Sequence, residues 1–443
     1  MASRIESLAT TIADSAQQLR TLLAQHGIAE PSFAATCPPS LALPPPVEAA
    51  RNALLHAACE IQDLLLDPAD LLRSYAIHAH LIALHFIQQF NVAHLVPPNG
   101  TVSFAALSAQ CDVPEADVRR LLRHAMTIRV FDEPAENEVA HTRASMLLRQ
   151  EGFHGWIGST CTNSWPGATR TIEALTRFPG SEEPTESGFA LANNGQALYE
   201  ALAQSPARAA TFAASKRGYA SGAAMGPAAL VASVHPLLAG LPANSVVVDV
   251  GGAQGDISFA LAAAFPHLRF VVQDLPGVVA RARAQQQQQQ PPPSAATDRV
   301  SFQAHDFFTP QPPTTPAARV FYLRHILHNW GDGHAIRILR QLRPALRAGA
   351  RVLIHDHVLE RYPAQEPMWK RRLASAMDLN MLLLLNARER DEAQWRGLLQ
   401  EADERFRWVG VRRVEGSALA VVEAVWDDGL CPGTSGADTS TTG

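Results

Sequence analysis

Cysteine is scarce: the five present (Cys37, Cys59, Cys111, Cys161 and Cys431) make no C-x-x-C pair and leave one over. That excludes a disulfide framework or a zinc ribbon and fits a reducing, intracellular setting. A basic tract is missing as well. The 37 Lys plus Arg are scattered through a chain of net charge −5, so nothing is built to follow a phosphate backbone and nucleic acid is not an expected partner. No apolar run is clean enough to span a bilayer. The longest, residues 76–96, holds His78, His80, His85, Gln88 and Gln89 and reads as a buried helix, so no membrane association is expected. The N-terminus, with Arg4 and Glu6, lacks the apolar core and cleavage site of a signal peptide, and the expected location is cytoplasmic.

What is present is a chain of 443 residues, 47% hydrophobic, enough for two or three domains with real cores. Ile5, Leu8, Ile12, Leu19 and Leu22 fall at helical spacing, followed by a proline-rich stretch to Pro46 and further helical patterns from Val47 to Phe90, the second opening at Asp67-Pro68. Residues 102–148 read as a short helix from Phe104 to Gln110 and a second from Glu115 to Met126. Short apolar pairs at Val130-Phe131 and Val139-Ala140 then flank the acidic turn from Asp132 to Glu138. This is a winged-helix order. Arg119, Arg120, Arg123 and His124 would suit DNA, but the acidic hairpin stands where a DNA-binding wing needs positive charge, which favours a packing or dimerisation module. Residues 1–150 are therefore expected to form a helical, winged-helix dimerisation domain, 151–235 connector helices, 236–427 an α/β domain and 428–443 a disordered tail.

In the α/β part, strands are expected at Val246 to Val250, Phe270 to Gln273, Val300 to Ala304, Val320 to Leu323 and Arg351 to His355, with helices between. The fold class expected is α/β, a doubly wound, Rossmann-like parallel sheet. Gln285 to Pro293 and Gln311 to Pro316 read as surface loops. The strand Val246 to Val250 runs into Gly251-Gly252-Ala253-Gln254-Gly255. A dinucleotide turn needs glycines at 251, 253 and 256, and this chain has Ala253 and Asp256 instead. Asp249 and Asp256 would also repel a pyrophosphate, whereas they suit a cation such as S-adenosylmethionine, which has an ammonium and a sulfonium and no phosphate. Asp274, ending the next strand, offers two acceptors to a ribose diol.

The residues from Val247 through Gly252, Phe265 to Leu268 and Gln273 to Val278 resemble the signature of the plant caffeic acid-type O-methyltransferases and of their fungal relatives acting on aromatic polyketides. The resemblance implies a class I methyltransferase domain behind a winged-helix dimerisation domain, with S-adenosyl-L-methionine as cofactor, no metal, and a homodimer. Carried over by position, Asp249, Gly251, Gly252, Gly255, Asp274 and Leu275 bind the cofactor, Asp306 and Phe307 hold and stack its adenine, and Arg324 takes the place of a basic residue beside it. It also implies that connector helices and the segment around Met377 line the substrate pocket. Trp156, Trp165, Phe189, Met225, Met377 and Met381 are then candidate walls.

Within Phe321-Tyr322-Leu323-Arg324-His325-Ile326-Leu327-His328-Asn329-Trp330, the resemblance makes His328 the catalytic base, with Asn329 where the family has Asp. A phenol of pKa about 10 facing an imidazole of pKa about 6.5 can lose its proton during methyl transfer without a metal. Asp356 and Glu389 match family acids that orient the base, Asp356 being one methylene shorter than the family's Glu. His325 is expected to be structural, and Asp332 to cap the helix that follows. The expected activity is methylation of a phenolic or enolic oxygen on an aromatic small molecule. Two alternatives stay open: a cofactor-binding cyclisation or pericyclic catalyst of the same fold, and a winged-helix regulator that senses a ligand.

Overall fold

The computed structural model describes residues 3–38, 43–219, 225–288, 297–313, 317–360, 367–414 and 417–429. They divide into two compact units. One comprises Met1–Leu230, Leu359–Glu389 and Val414–Ala418, the other Val231–Val358, Arg390–Arg413 and Leu419–Gly443.

The first unit is helical. Ser3 and Glu6 form a capping box that starts the helix Arg4–Gln25, and the helix Pro45–Leu65 follows. Asp67 accepts from the Ala69 amide at 2.8 Å and opens Pro68–Tyr75. The apolar run that follows does not continue that helix: a new one, Ala79–Gln89, begins after Ala76 to His78 and stops before Asn91, whose φ of 54° is left-handed. Strands β1 (Thr101–Ser103), β2 (Asp132–Ala135) and β3 (Glu138–Ala140) make an antiparallel sheet in the order β1-β3-β2, with helices Phe104–Cys111 and Glu115–Thr127 between β1 and β2. The acidic segment expected to be a turn thus supplies strand residues. Its Glu133 takes two bonds from Arg123, at 2.8 and 2.7 Å, which hold the carboxyl down at about 2. Arg119 is held by Glu115 and Asn137. Further on, Phe189 and Met381 lie in a core cluster with Leu198 and Leu384, and Met377 packs against it.

In the second unit, five strands follow the α/β pattern: β4 (Val246–Val250), β5 (Arg269–Asp274), β6 (Val300–Ala304), β7 (Ala318–Arg324) and β8 (Arg351–Asp356). After the two-residue strands β9 (Val358–Leu359) and β10 (Arg390–Asp391) come β11 (Phe406–Arg413) and β12 (Ala420–Trp426). The seven long strands form one sheet, ordered β11-β12-β8-β7-β4-β5-β6. Its β8-β7-β4-β5-β6 part is parallel, but β12 runs antiparallel to β8 and β11 antiparallel to β12, so the sheet is mixed where an all-parallel one was expected. Every residue of β4 is buried, as a central strand covered on both faces requires. Val246, Val248, Val250, Phe321 and Ile354 share one core with Ile336 and Leu339 of the helix Asp332–Leu342 and with Trp395 and Leu398 of the helix Glu392–Ala402. Asp249, between the valines of that face, points to the other side.

The glutamine-rich loops need correction. Gln285 to Gln288 continue the helix Pro276–Gln288, and Gln311 is buried, donating to Gln273 at 2.8 Å while Gln273 donates to Gln303. This polar chain pulls Gln311 off the surface. The remaining parts of both stretches, at 289–293 and 314–316, and the tail from 430 on lie outside the described residues.

Candidate active site at the strand ends

The glycine turn after β4 is shaped by lack of space. Gly251 has a φ of 75°, and a Cβ there would come within 2.5 Å of Ile326 Cδ1 and 3.7 Å of the Phe307 ring. A Cβ on Gly252 would lie 2.6 Å from the Asp249 carboxylate. Only glycine lets this backbone cross the end of the strand, and the same positions bring Phe307 and Ile326 onto the turn. Gly255, also left-handed at φ 81°, precedes the helix Asp256–Ala264.

Two carboxylates face this turn. Asp249 accepts from the Ser258 hydroxyl at 2.6 Å, and burial pushes its carboxyl up to about 6, with the Ser258 bond and the Arg324 charge opposing the shift. Asp274 accepts from the amides of Ala253 at 3.0 Å and Leu275 at 2.8 Å, and burial also raises its pKa. Each carboxylate oxygen of Asp274 keeps a lone pair beyond these bonds. Leu275 is exposed beside it. Asp306 closes a turn by accepting from the Phe308 amide at 2.9 Å, and Phe307 lies within 6.1 Å of the Trp330 ring. The eight residues expected around the cofactor other than Arg324 therefore come to the ends of β4, β5 and β6. Arg324 ends β7, and its buried Nε has no hydrogen-bond partner among the described residues.

These residues fit S-adenosylmethionine by the chemistry of their donor set. The buried Asp249 carboxylate would be relieved by a cation, Asp274 has lone pairs left for a diol, and the glycines leave room for close approach where a Cβ would fill it.

His328 lies in a 3-10 turn, Leu327–Asn329, just beyond β7, and is 4% exposed. His325 stands beside it with ring centroids 5.0 Å apart, and ligand atoms of His325, His328 and Asp356 lie within 4.8 Å of one another. His325 is thus part of the cluster, although its sequence position gave no sign of it. Its φ of 53° turns the chain, and its amide donates to Asp356 Oδ1 at 2.7 Å. The Asn329 amide donates to the His325 carbonyl at 2.6 Å, a bond an Asp carboxylate could not make. His355 points away from the cluster and bonds the Tyr322 hydroxyl at 2.7 Å. Burial drives its pKa down to about 3, so it stays neutral. Two imidazoles and a carboxylate could also hold a divalent ion, but an ion on His328 would occupy the lone pair a base needs. Glu389 is buried in the first unit, where its amide donates to Asp378 at 2.8 Å. Asp332 does not cap its helix. The cap is Gly331, and the Asp332 carboxylate is taken instead by Arg390, which sequence reasoning missed.

Residues 185–404 match a family described as an O-methyltransferase domain. The O-methyltransferase PaMT of Phomopsis amygdali is 36% identical over 96% of this chain and 97% of its own length. The chlorophenol O-methyltransferase of Trichoderma longibrachiatum is 34% identical, covering 96% of this chain and 91% of its own. Among solved structures, one described as a pericyclic reaction enzyme superposes with a TM-score of 0.72 at 21% identity, over 95% of this chain and 100% of the other. That last likeness concerns the fold, a class I methyltransferase sheet behind a helical N-terminal region, and shows that the fold also serves a reaction of another kind. The sequence relatives, aligned over almost their entire lengths, decide the family: this chain belongs to the O-methyltransferases.

Proposed function

We propose that this S-adenosylmethionine-dependent O-methyltransferase acts on a phenolic or enolic hydroxyl of an aromatic, polyketide-like small molecule, with His328 as general base. The observation that carries the reading is the buried His328 beside Asp356, on the same sheet edge as the Asp249 and Asp274 carboxylates. In that reading Asp249, Gly251, Gly252 and Gly255 hold the amino-acid end of the cofactor, and Asp274 with Leu275 takes the ribose. Asp306 and Phe307 hold the adenine, and Arg324 offsets the charge of Asp249. The bound cofactor supplies an electrophilic methyl group. His328 takes the proton from the acceptor oxygen, and Asp356 orients the imidazole and stabilises its charged form, a role that the resemblance also gives to Glu389. No metal takes part. The phenolic acceptor is supported by the name of the Trichoderma relative and the polyketide class by the resemblance described above.

The decisive experiment is transfer of labelled methyl to a panel of phenols, including anthraquinone- and naphthopyrone-like polyketides. A product heavier by one methylene is expected. An unchanged mass with rearranged bonds would favour the pericyclic alternative, and transfer only to amines or carboxylates would overturn the O-methyl reading.

The same proposal divides the chain at 1–150, 151–235, 236–427 and 428–443. The first part is a winged-helix module that makes a homodimer, and the second contributes to the substrate pocket. Exposed Ile5, Leu72, Tyr75, Ile77 and Ile82 support a protein partner rather than DNA, as do the acid-held Arg119 and Arg123. Among the described residues no helix is long and apolar enough to cross a membrane, and a cytoplasmic location belongs to the proposal. Light scattering of the full chain is expected to give the mass of two copies, and a monomer at assay concentration would contradict the dimer.

A further inference from the structure

Arg390 has no exposed side-chain surface, yet it carries a full charge. Burying a guanidinium is costly unless every donor is engaged, so what it engages is informative. Its Nη1 donates to the Leu327 carbonyl at 3.1 Å and its Nη2 to the Trp330 carbonyl at 2.8 Å, while Nε donates to Asp332 Oδ1 at 2.8 Å. The guanidinium lies over the Trp395 ring, 5.1 Å from its centroid. The two carbonyls belong to residues on either side of His328 and Asn329. The turn is held from its other end by the Asn329 amide on the His325 carbonyl and by Asp356 on the His325 amide.

We infer that Arg390 is a positioning residue for the methyl transfer: its fork fixes the Leu327–Asn329 turn so that the His328 imidazole is held at the acceptor oxygen, and Asp332 anchors the fork from the start of the next helix. This rests on the reading of His328 as base. The planar guanidinium matters, because an ammonium cannot meet two carbonyls and a carboxylate in one fixed plane. A base displaced by about 1 Å can lose on the order of 10²-fold in rate, so the clamp bears on chemistry more than on binding.

The test uses the full chain with Arg390→Lys, and with Asp332→Asn as a milder variant should the first fold poorly. Thermal melts and circular dichroism establish folding, and His328→Gln serves as reference. With a weakly acidic phenol, kcat is expected to fall by about 10- to 100-fold in Arg390→Lys and by less in Asp332→Asn, with the dissociation constant for S-adenosylhomocysteine unchanged. With an acceptor already ionised at the assay pH, which needs no base, both variants are expected to keep most of their rate. A merely structural role would lower the two acceptors equally and weaken cofactor binding. Equal loss on both acceptors, or no loss in a folded Arg390→Lys, overturns the inference. If instead His328→Gln itself keeps full rate on the weakly acidic phenol, the base reading fails, and that result is distinguishable because it does not involve Arg390.

Discussion

Replacing His328 by Gln is expected to lower kcat on a weakly acidic phenol by about 10²–10⁴ while cofactor and acceptor bind nearly as before. Glutamine keeps a hydrogen-bonding tip of similar reach but cannot accept a proton in the useful range. The turn itself should survive, because its backbone is held by Arg390, Asn329 and Asp356 rather than by the imidazole. The pH profile separates this from a packing defect. Wild-type turnover is expected to rise with pH as the imidazole gives up its proton, since only the neutral imidazole is a base. The variant should climb only as the phenol ionises in solution, at about pH 10 for a simple phenol and lower for acidic polyketide phenols. Wild-type turnover in the variant on a weakly acidic phenol would falsify the general-base mechanism.

The parts of this site that were legible in the sequence are those where one residue type answers one local demand. The apolar run from Val246 to Val250, holding Asp249 and followed by Gly251, Gly252 and Gly255, must be a strand entering a tight turn, and the structure places it so. The ends of β5 and β8 were legible for the same reason, because the strand patterns from Phe270 to Gln273 and from Arg351 to His355 stopped at Asp274 and Asp356. Antiparallel β11 and β12 escaped, since Phe406–Arg413 alternates weakly and nothing local says which way a strand will run beside β8. Gln311 was misread because polar residues near prolines look like loop until their partners Gln273 and Gln303, on two other strands, are known. Arg390 was hidden more deeply. Its partners lie 58 to 63 residues away in the chain, and a lone arginine near a helix start is ordinarily solvated. Capping rules made Asp332 an obvious N-cap. The buried guanidinium outbid the helix amides for that carboxylate, since a charged donor makes the stronger bond.

Asp249 gives a prediction in which folding and binding move in opposite directions with pH. Its carboxyl stands at about 6 against an ordinary value of 3.8, with burial as the main cause. For a group whose folded pKa is raised, the stabilising contribution is fully present below the unfolded value and is lost as pH rises through the folded one. The apo protein should therefore gain stability from this residue as pH falls from about 7 toward 4, by roughly 3 kcal/mol in all for a shift of about two units. A cationic cofactor headgroup favours the ionised carboxylate, so binding must remove the proton. Affinity for S-adenosylhomocysteine, which keeps its ammonium throughout, is expected to fall about tenfold between pH 7 and pH 5. Asp274, also raised by burial, acts in the same direction, and Asp249→Asn separates the two. The amide variant should bind weakly at every pH, with a profile flattened by the share that belongs to Asp249, and its apo melting temperature should lose the wild type's gain toward low pH. Calorimetric titrations at pH 5, 6 and 7 on both proteins read the binding side, and melts without cofactor read the folding side. If the wild-type dissociation constant stays flat across that range, or if Asp249→Asn keeps the wild-type slope, then Asp249 does not meet the cofactor's positive charge, and its burial serves only the Ser258 bond at the start of the helix.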